Sequence, residues 1–522
     1  MIFQIYKTLR IIIFLLILGI SFYSVKFYEG SIFIYISYFL SLIAMLFYLT
    51  DKKSSYFEIF FSAYLFLGFW FKYVFSLILY EGRIYDSNVA QIKSTDIDDI
   101  LILGIMIALT CLLSSFMNKK FKKKKNIQSQ KDLEKTFFVD LYLQNRVKVL
   151  IIFLLSIVTV AFFNSKLGIH QRGFIFDTEL PLIIINLVKW LLLFGFTTFS
   201  CFIFHVEIKN LKKINSFTMI IIFFEIFSSY TSMLSRSFII NSSSLMLPIY
   251  QESSKLIKKY DIKLIVLFIF ILLLTAISVL GVNKIRIEKV KTVIIEYKEL
   301  TENNLNKSNS DIIVEKKLNN YNFQIPKNNS PTDKIEKEVE KTFKTRNSTA
   351  IINKTTPKDV VNFILVNRWI GIDSLILVSS SKKKGFDLFF RALKEEKDHL
   401  DYTFYEREFG LIDVKTNVDT GKTVMKGNTL PGIISFLYYT GSPVFLLFSI
   451  MLIFFIFNFI ENFLKHLTNN NLLFMCFISN MIATRLFHFG YAPKDSYLFL
   501  ISIFLSILFL ILLMRFKFRF SR

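Results

Sequence analysis

The chain has 522 residues, 53% of them apolar, with 61 Phe and a mean hydropathy of +0.48. Soluble domains hold about 45–50% apolar residues, spread amphipathically; here they come in solid blocks, which excludes an ordinary soluble globular protein. The formal charge of +23 does not point to nucleic acid, because much of the Lys/Arg excess falls in short links between apolar blocks, where it sets membrane orientation.

In chain order the apolar blocks cover residues 11–25, 31–50, 57–80, 100–117, 149–165, 181–205, 217–235, 264–281, 430–459, 472–489 and 496–514. Each is roughly long enough to cross a bilayer. Runs of this length and density satisfy their own backbone in lipid only as helices. The fold class is therefore an all-α polytopic membrane protein with the lipid bilayer as its first partner. The first block follows Lys7 and Arg10, as in a signal peptide, but no small-residue cleavage site follows it. It reads as a retained helix. Cys111, Cys201 and Cys476 lie inside apolar blocks with no metal-ligand spacing and read as small buried side chains.

Short links carry the orientation. Residues 119–148, with Lys122-Lys123-Lys124-Lys125, residues 51–56, and the link around Lys209, Lys212 and Lys213 read as cytoplasmic. Residues 81–99, with Glu81, Asp86, Asp96, Asp98 and Asp99, read as external. Residues 237–250 contain Asn241 and Ser242-Ser243-Ser244 and are too short and polar for an ordinary span. If they cross or re-enter, both Lys255, Lys258, Lys259 and the basic tail 515–522 fall inside. That choice gives about twelve transmembrane helices, one short or re-entrant, cytoplasmic N and C termini, and one large extracytoplasmic loop.

Three regions follow: a transmembrane bundle over 1–281, the loop over 282–428, and C-terminal transmembrane helices over 429–522. Within the loop, 302–358 is rich in Lys, Asn, Ser, Glu and Thr and reads as a flexible linker. Residues 359–400 read as helical. Val360, Val361, Ile364, Leu365, Ile372, Leu375 and Ile376 recur at helical spacing, and Phe386, Phe389, Phe390 and Leu393 share one face of a second helix over 385–397. Such helices either lie at a membrane surface or pack on one another.

Ionisable groups inside apolar blocks are costly and so mark candidate sites. Glu225 sits mid-block, Arg236 ends the same block, and Arg485 and His488 stand three apart near the end of another. Lys72 and Lys189 are embedded and can snorkel to an interface; Glu58 marks a block boundary. Arg236, Arg368, Arg485 and His488 can reach one external side, with Glu225 and Asp373 as nearby carboxylates. Guanidinium forks suit phosphate oxygens, so the set fits a lipid diphosphate. The alternative is structural pairing within the bundle, Arg236 with Glu225 or Arg485 with His488. His170 and Arg172, in a short external link, form a second possible substrate-binding pair. His399 lies among Glu395, Glu396, Asp398 and Asp401, as a solvated side chain or a further base. His205 and His466 fall on the cytoplasmic side. No metal-ligand spacing, Walker sequence or glycine-rich nucleotide loop occurs, so neither metal nor cofactor is expected.

Several stretches then resemble a known family. These are Ser235-Arg236-Ser237, Asn367-Arg368-Trp369-Ile370-Gly371-Ile372-Asp373, Phe386-Asp387-Leu388-Phe389, Leu430-Pro431-Gly432 with Tyr438-Tyr439-Thr440-Gly441-Ser442, and Arg485-Leu486-Phe487-His488-Phe489-Gly490-Tyr491. With many spans and one late external loop, they look like bacterial oligosaccharide repeat-unit polymerases of the O-antigen or capsule type. The resemblance covers mainly residues 235–497. It implies an inverting, metal-independent glycosyltransferase at the outer face of the cytoplasmic membrane. Donor and acceptor would be oligosaccharides on undecaprenyl diphosphate. Arg236, Arg368 and Arg485 would hold the diphosphate, and His488, Asp373 or Glu225 would be the base. A chain-length regulator and a flippase would be partners. The insertion 302–358 departs from better-known members. The rival readings are an O-antigen ligase, a flippase or transporter of lipid-linked oligosaccharide, and a sensor or scaffold. A transporter would carry internal repeats; the two halves of this chain show none, and residues 237–250 are its best support.

Overall fold

The computed structural model describes residues 2–51, 53–79, 94–121, 136–176, 178–212, 215–235, 244–249, parts of 270–299, 366, 369–395, 403–409, 418–419, 423–425, 430–490 and 493–516. The chain divides into two compact units, Met1–Val293 with Trp369–Arg522, and Ile294–Arg368. Almost all described residues belong to the first. The expected linker over 302–358 and residues 359–365 lie outside the described residues.

The helices of the first unit are α1 (Ile2–Ser24), α2 (Ile32–Leu49), α3 (Tyr56–Leu79), α4 (Ser94–Phe121), α5 (Phe137–Gln144), α6 (Arg146–Leu167), α7 (Leu182–Leu211) and α8 (Ser216–Ser232). After the second unit come α9 (Ile372–Ser380), α10 (Phe386–Leu393), α11 (Phe404–Glu408), α12 (Gly432–Leu437), α13 (Pro443–Leu467), α14 (Leu472–Phe487) and α15 (Pro493–Arg515). Among the described residues, eight helices are long and apolar enough to cross a membrane, and two shorter apolar helices, Phe217–Ser232 and Leu472–Phe487, accompany them. The chain is a multi-pass helical membrane protein.

Packing follows the burial pattern. α2 packs on α4, α3 on α14, α4 on α13, and α6 on α8. α3 and α14 form the centre, with Phe61, Phe474, Phe477 and Ile478 almost fully buried. The outer helices keep one apolar face bare, as lipid-facing helices do: Val444, Phe448, Leu452 and Ile456 recur every fourth residue along α13 and are exposed.

Buried carboxylates tie helix ends together at the end of the bundle where α3 starts. Glu58 closes a capping box with Ser55 and accepts from Asn458 Nδ2 at 3.0 Å. Glu461 accepts the peptide N–H groups of Tyr56 and Phe57 at 3.1 and 3.0 Å, at the positive end of the α3 dipole. Glu207 binds Arg146 and the hydroxyls of Tyr142 and Thr218, each hydroxyl at 2.7 Å. These carboxylates thereby meet the buried donors Asn458 Nδ2, the Tyr56 and Phe57 N–H groups and the Tyr142 and Thr218 hydroxyls, as low-dielectric surroundings favour.

Two local features differ from the sequence expectation. The apolar run from Leu430 is not one span. It starts with the short α12, turns at Tyr438–Thr440, and the spanning helix begins at Pro443, with Ser442 Oγ capping the Phe445 N–H at 3.3 Å. A small antiparallel sheet also joins the helices, in the order β1 (Phe174–Phe176), β3 (Thr423–Met425), β2 (Val418–Asp419). Phe174 faces Met425 in register, so residues far apart in sequence meet beside the α6–α7 link.

Candidate functional site

The site begins with an irregularity in α3. Residues Phe66–Phe71 wind as a π turn, which displaces one carbonyl from the regular ladder and is frequent where helices carry function. Tyr38 supplies a donor there, its hydroxyl meeting Phe69 O at 2.9 Å. Gly68 lies in this turn and leaves room for another strand of backbone. A side-chain carbon on Gly68 would overlap the Ile370 carbonyl, and one on Gly371 would overlap the Gly68 backbone. The two glycines thus let Ile370-Gly371 lie directly against α3.

From that crossing α9 starts, and Asp373 in its first turn reaches back to α3. Lys72 Nζ is 2.7 Å from Asp373 Oδ2, with the two side chains 10% and 16% exposed. Asp373 Oδ1 is buried with no hydrogen-bond partner among the described residues. Lys72 therefore does not snorkel to water, as the sequence suggested, but neutralises a carboxylate brought from the far side of the long polar insertion.

A second joint links this pair to α14. Gly432 has φ +70°, a left-handed value that favours glycine. Its Cβ position lies 3.0 Å from both Ile370 Cγ2 and Phe487 O. Its N–H donates to Phe489 O at 3.0 Å. Ser374 Oγ donates to Leu430 O at 3.4 Å. The turn Leu430-Pro431-Gly432 is therefore wedged between the start of α9 and the end of α14.

His488 caps α14. Its Nδ1 lies 2.8 Å from Thr484 O; since that carbonyl can only accept, Nδ1 is the donor in this contact. Thr484 is fixed in turn. The Tyr64 hydroxyl donates to Asn480 Oδ1 at 2.7 Å, so the 2.7 Å contact with Thr484 Oγ1 has threonine as donor. Arg485 is partly buried, its guanidinium 5.7 Å from the Phe499 ring centre, within the range of a cation–π contact. Beside this end of α14 a cleft of about 160 Å³ opens between α10 and α15, lined by Leu393, Phe404, Phe436, Tyr439, Phe489 and Tyr497 among others.

The other expected site residues go elsewhere or lie outside the described residues, as Arg236, Arg368 and His399 do. Glu225 is fully buried, and its carboxylate accepts from Thr197 and Ser229 hydroxyls at 3.3 Å each, in the α7–α8 contact. These contacts close its own helix pair.

His170 and Arg172 belong to the link between α6 and β1. Asn164 clamps His170, accepting its N–H at 2.8 Å and donating to its carbonyl at 3.2 Å. Arg172 N–H donates to Met233 O at 2.9 Å. Burial, with Lys189 and then Arg172 as positive neighbours, pushes the His170 imidazole down to about 3. It is neutral at physiological pH. Gln171 accepts from Lys289 Nζ at 2.7 Å, so this link clasps the end of α6 to the segment that carries Lys289.

Sequence reasoning missed Gly68, Tyr64 and Thr484. A lone glycine inside an apolar span is a signal of close backbone approach, and it stood at Gly68. Tyr64 and Thr484 carried no such mark. No family model, no curated protein and no solved structure matches this chain.

Proposed function

We propose that this protein joins lipid-diphosphate-linked oligosaccharide repeat units into a longer surface polysaccharide at the extracytoplasmic face of the cytoplasmic membrane. The observation that supports it most is spatial. Residues 370–373, Leu430-Pro431-Gly432 and Phe487-His488-Phe489, from three stretches on which the resemblance to polysaccharide polymerases rests, meet around Ile370 and Gly432. With Arg485 one turn before His488 on α14, they combine a histidine, an arginine and a lysine-paired carboxylate.

In this reading His488 Nε2 takes the proton of the acceptor hydroxyl. The hydroxyl oxygen bonds to the anomeric carbon of the donor sugar, the bond from that carbon to the diphosphate oxygen breaks, and configuration inverts. Arg485, with Arg236 and Arg368, meets the charge that gathers on the leaving diphosphate. Asp373 is occupied by Lys72 and Glu225 by hydroxyls, so neither competes for the proton. The fold that goes with this reading has about twelve crossings, cytoplasmic termini and an external loop.

A strain lacking the gene, complemented with wild type or Arg485→Ala, tests the proposal on a gel of surface glycan. Wild type restores a ladder that the deletion lacks, with single repeat units still exported, and Arg485→Ala at equal expression does not. Long chains retained on the lipid carrier would make the protein a ligase instead. Repeat units trapped inside would make it a flippase, and an unchanged ladder would remove it from glycan synthesis.

A further inference from the structure

α10 presents an apolar face that the protein leaves uncovered. Leu388, Phe389 and Ala392 are buried against the unit, whereas Phe386 and Phe390 are 50% and 54% exposed. The position of this face says what covers it. The Phe386 ring lies 5.5 Å and the Phe389 ring 5.3 Å from the Phe445 ring, and Phe445 is in the first turn of α13. With 25 residues, α13 is about 37 Å long at 1.5 Å per residue. A hydrocarbon core is only about 30 Å thick, so the end turns of α13 sit at the membrane–water boundary. The bare residues Phe386 and Phe390 are then continuous with Val444 and Phe448 on the lipid-facing side of α13, both exposed.

The charges around the helix match that depth. Lys382, Lys383, Lys384, Arg391 and Lys394 flank the apolar face, against Asp387 and Glu395. Arg391 is taken by Asp387 and Glu408, at 3.2 and 3.1 Å, and Glu395 is buried, accepting the Phe404 N–H at 2.6 Å. Lys382, Lys383 and Lys394 are exposed, Lys383 with its ammonium also 3.5 Å from Glu408 at the surface. An apolar helix face edged by lysines is the composition of a helix that lies in the plane of a bilayer surface, where basic side chains meet anionic headgroups.

We propose that α10 is a membrane-interface helix: Phe386 and Phe390 enter the headgroup–acyl boundary, and Lys382, Lys383 and Lys394 bind phosphates of anionic phospholipid. Gly385 N–H donates to Tyr439 O at 2.8 Å, so the same helix is tied to the turn that follows α12. Lipid contact at α10 thereby seats the α9–α12 elements on the bilayer.

The three native cysteines are all buried, so an introduced cysteine can be spin-labelled selectively in the full-length protein. Phe390→Cys and, as a second probe, Phe386→Cys are compared with Asp387→Cys, whose native side chain is 89% exposed. The protein is held in nanodiscs of phosphatidylcholine alone or with phosphatidylglycerol. The expected result is a collision rate with oxygen at least about threefold above that with a water-soluble nickel chelate at 390 and 386, and the reverse at 387. Phosphatidylglycerol should deepen the labels, and replacing Lys382, Lys383 and Lys394 by Gln should abolish that response. Nickel access at 390 equal to that at 387 would place α10 in water and overturn the inference. Shielding from both reagents would assign the face to a protein partner and overturn it equally. Depth that ignores phosphatidylglycerol would remove the anionic-lipid site.

Discussion

Lys72 Nζ stands 2.7 Å from Asp373 Oδ2, and this contact fastens an apolar spanning helix to the segment that re-enters the bundle after the long polar insertion. Breaking such a pair leaves one charge buried and alone, which costs more than the pair itself contributes. Lys72→Met or Asp373→Leu alone should therefore lower stability by about 3 kcal/mol, while the double substitution recovers most of that loss. Thermal unfolding of the four proteins in one detergent measures it. Additive losses in the double variant would show that the two groups do not act as a pair.

The crossing of Gly68 and Gly371 makes a steric prediction. Gly68→Ala and Gly371→Ala each force backbone apart and should cost about 1–3 kcal/mol. Gly19, in α1, has nothing within 4 Å of its Cβ position. Gly19→Ala should be neutral or stabilising by up to about 1 kcal/mol, through helix propensity alone. Melting temperatures of the three variants check the ranking, and equal effects at all three would deny the close approach.

Three candidate bases are separated by their surroundings. His488→Ala should reduce turnover by about a hundredfold or more, with substrate affinity little changed. Glu225→Gln keeps a hydrogen-bonding group of the same shape between Thr197 and Ser229 and should leave turnover within about twofold. Initial rates of chain lengthening at saturating substrate make the comparison. Loss of turnover in Glu225→Gln at normal stability would move the base to α8.

His170 predicts an acid sensitivity. Its imidazole is held at about 3 in the folded protein, largely by burial, against about 6.5 when unfolded. The unfolded chain thus binds the proton first as pH falls. Stability that is complete above about pH 6.5 is lost progressively between about 6.5 and 3. His170→Gln should flatten the fall of melting temperature over that window. An identical pH profile in wild type and variant would show that His170 does not contribute to it.

The helical spans were legible because lipid leaves one solution for long apolar runs, and residues such as Val444, Phe448 and Leu452 advertise a lipid face at fourfold spacing. The start of α13 was misplaced because Leu430 to Tyr439 is as apolar as a span, although Ser442-Pro443 is a helix-start signal and marks the true beginning. Arg485 and His488 stood out as costly groups in an apolar block, and Asp373 as a carboxylate within their reach. The pairing of Asp373 with Lys72 did not, because no periodicity links residues about three hundred apart. The sheet was hidden for a related reason: strands of two or three residues, such as Phe174–Phe176, are too short to show alternation. Glu225 carried the same mark as Arg485, and its Thr197 and Ser229 hydroxyl partners had no sequence signal.

The most direct test uses the lipid-linked repeat units that accumulate in a strain lacking this gene, presented to the purified protein in liposomes. The account predicts a mass ladder rising by one repeat unit per step with wild type. With His488→Ala it predicts single units only, while those units still raise the melting temperature of the variant by binding. Repeat units left unextended by active wild-type preparations, or a full ladder made by His488→Ala, would contradict it.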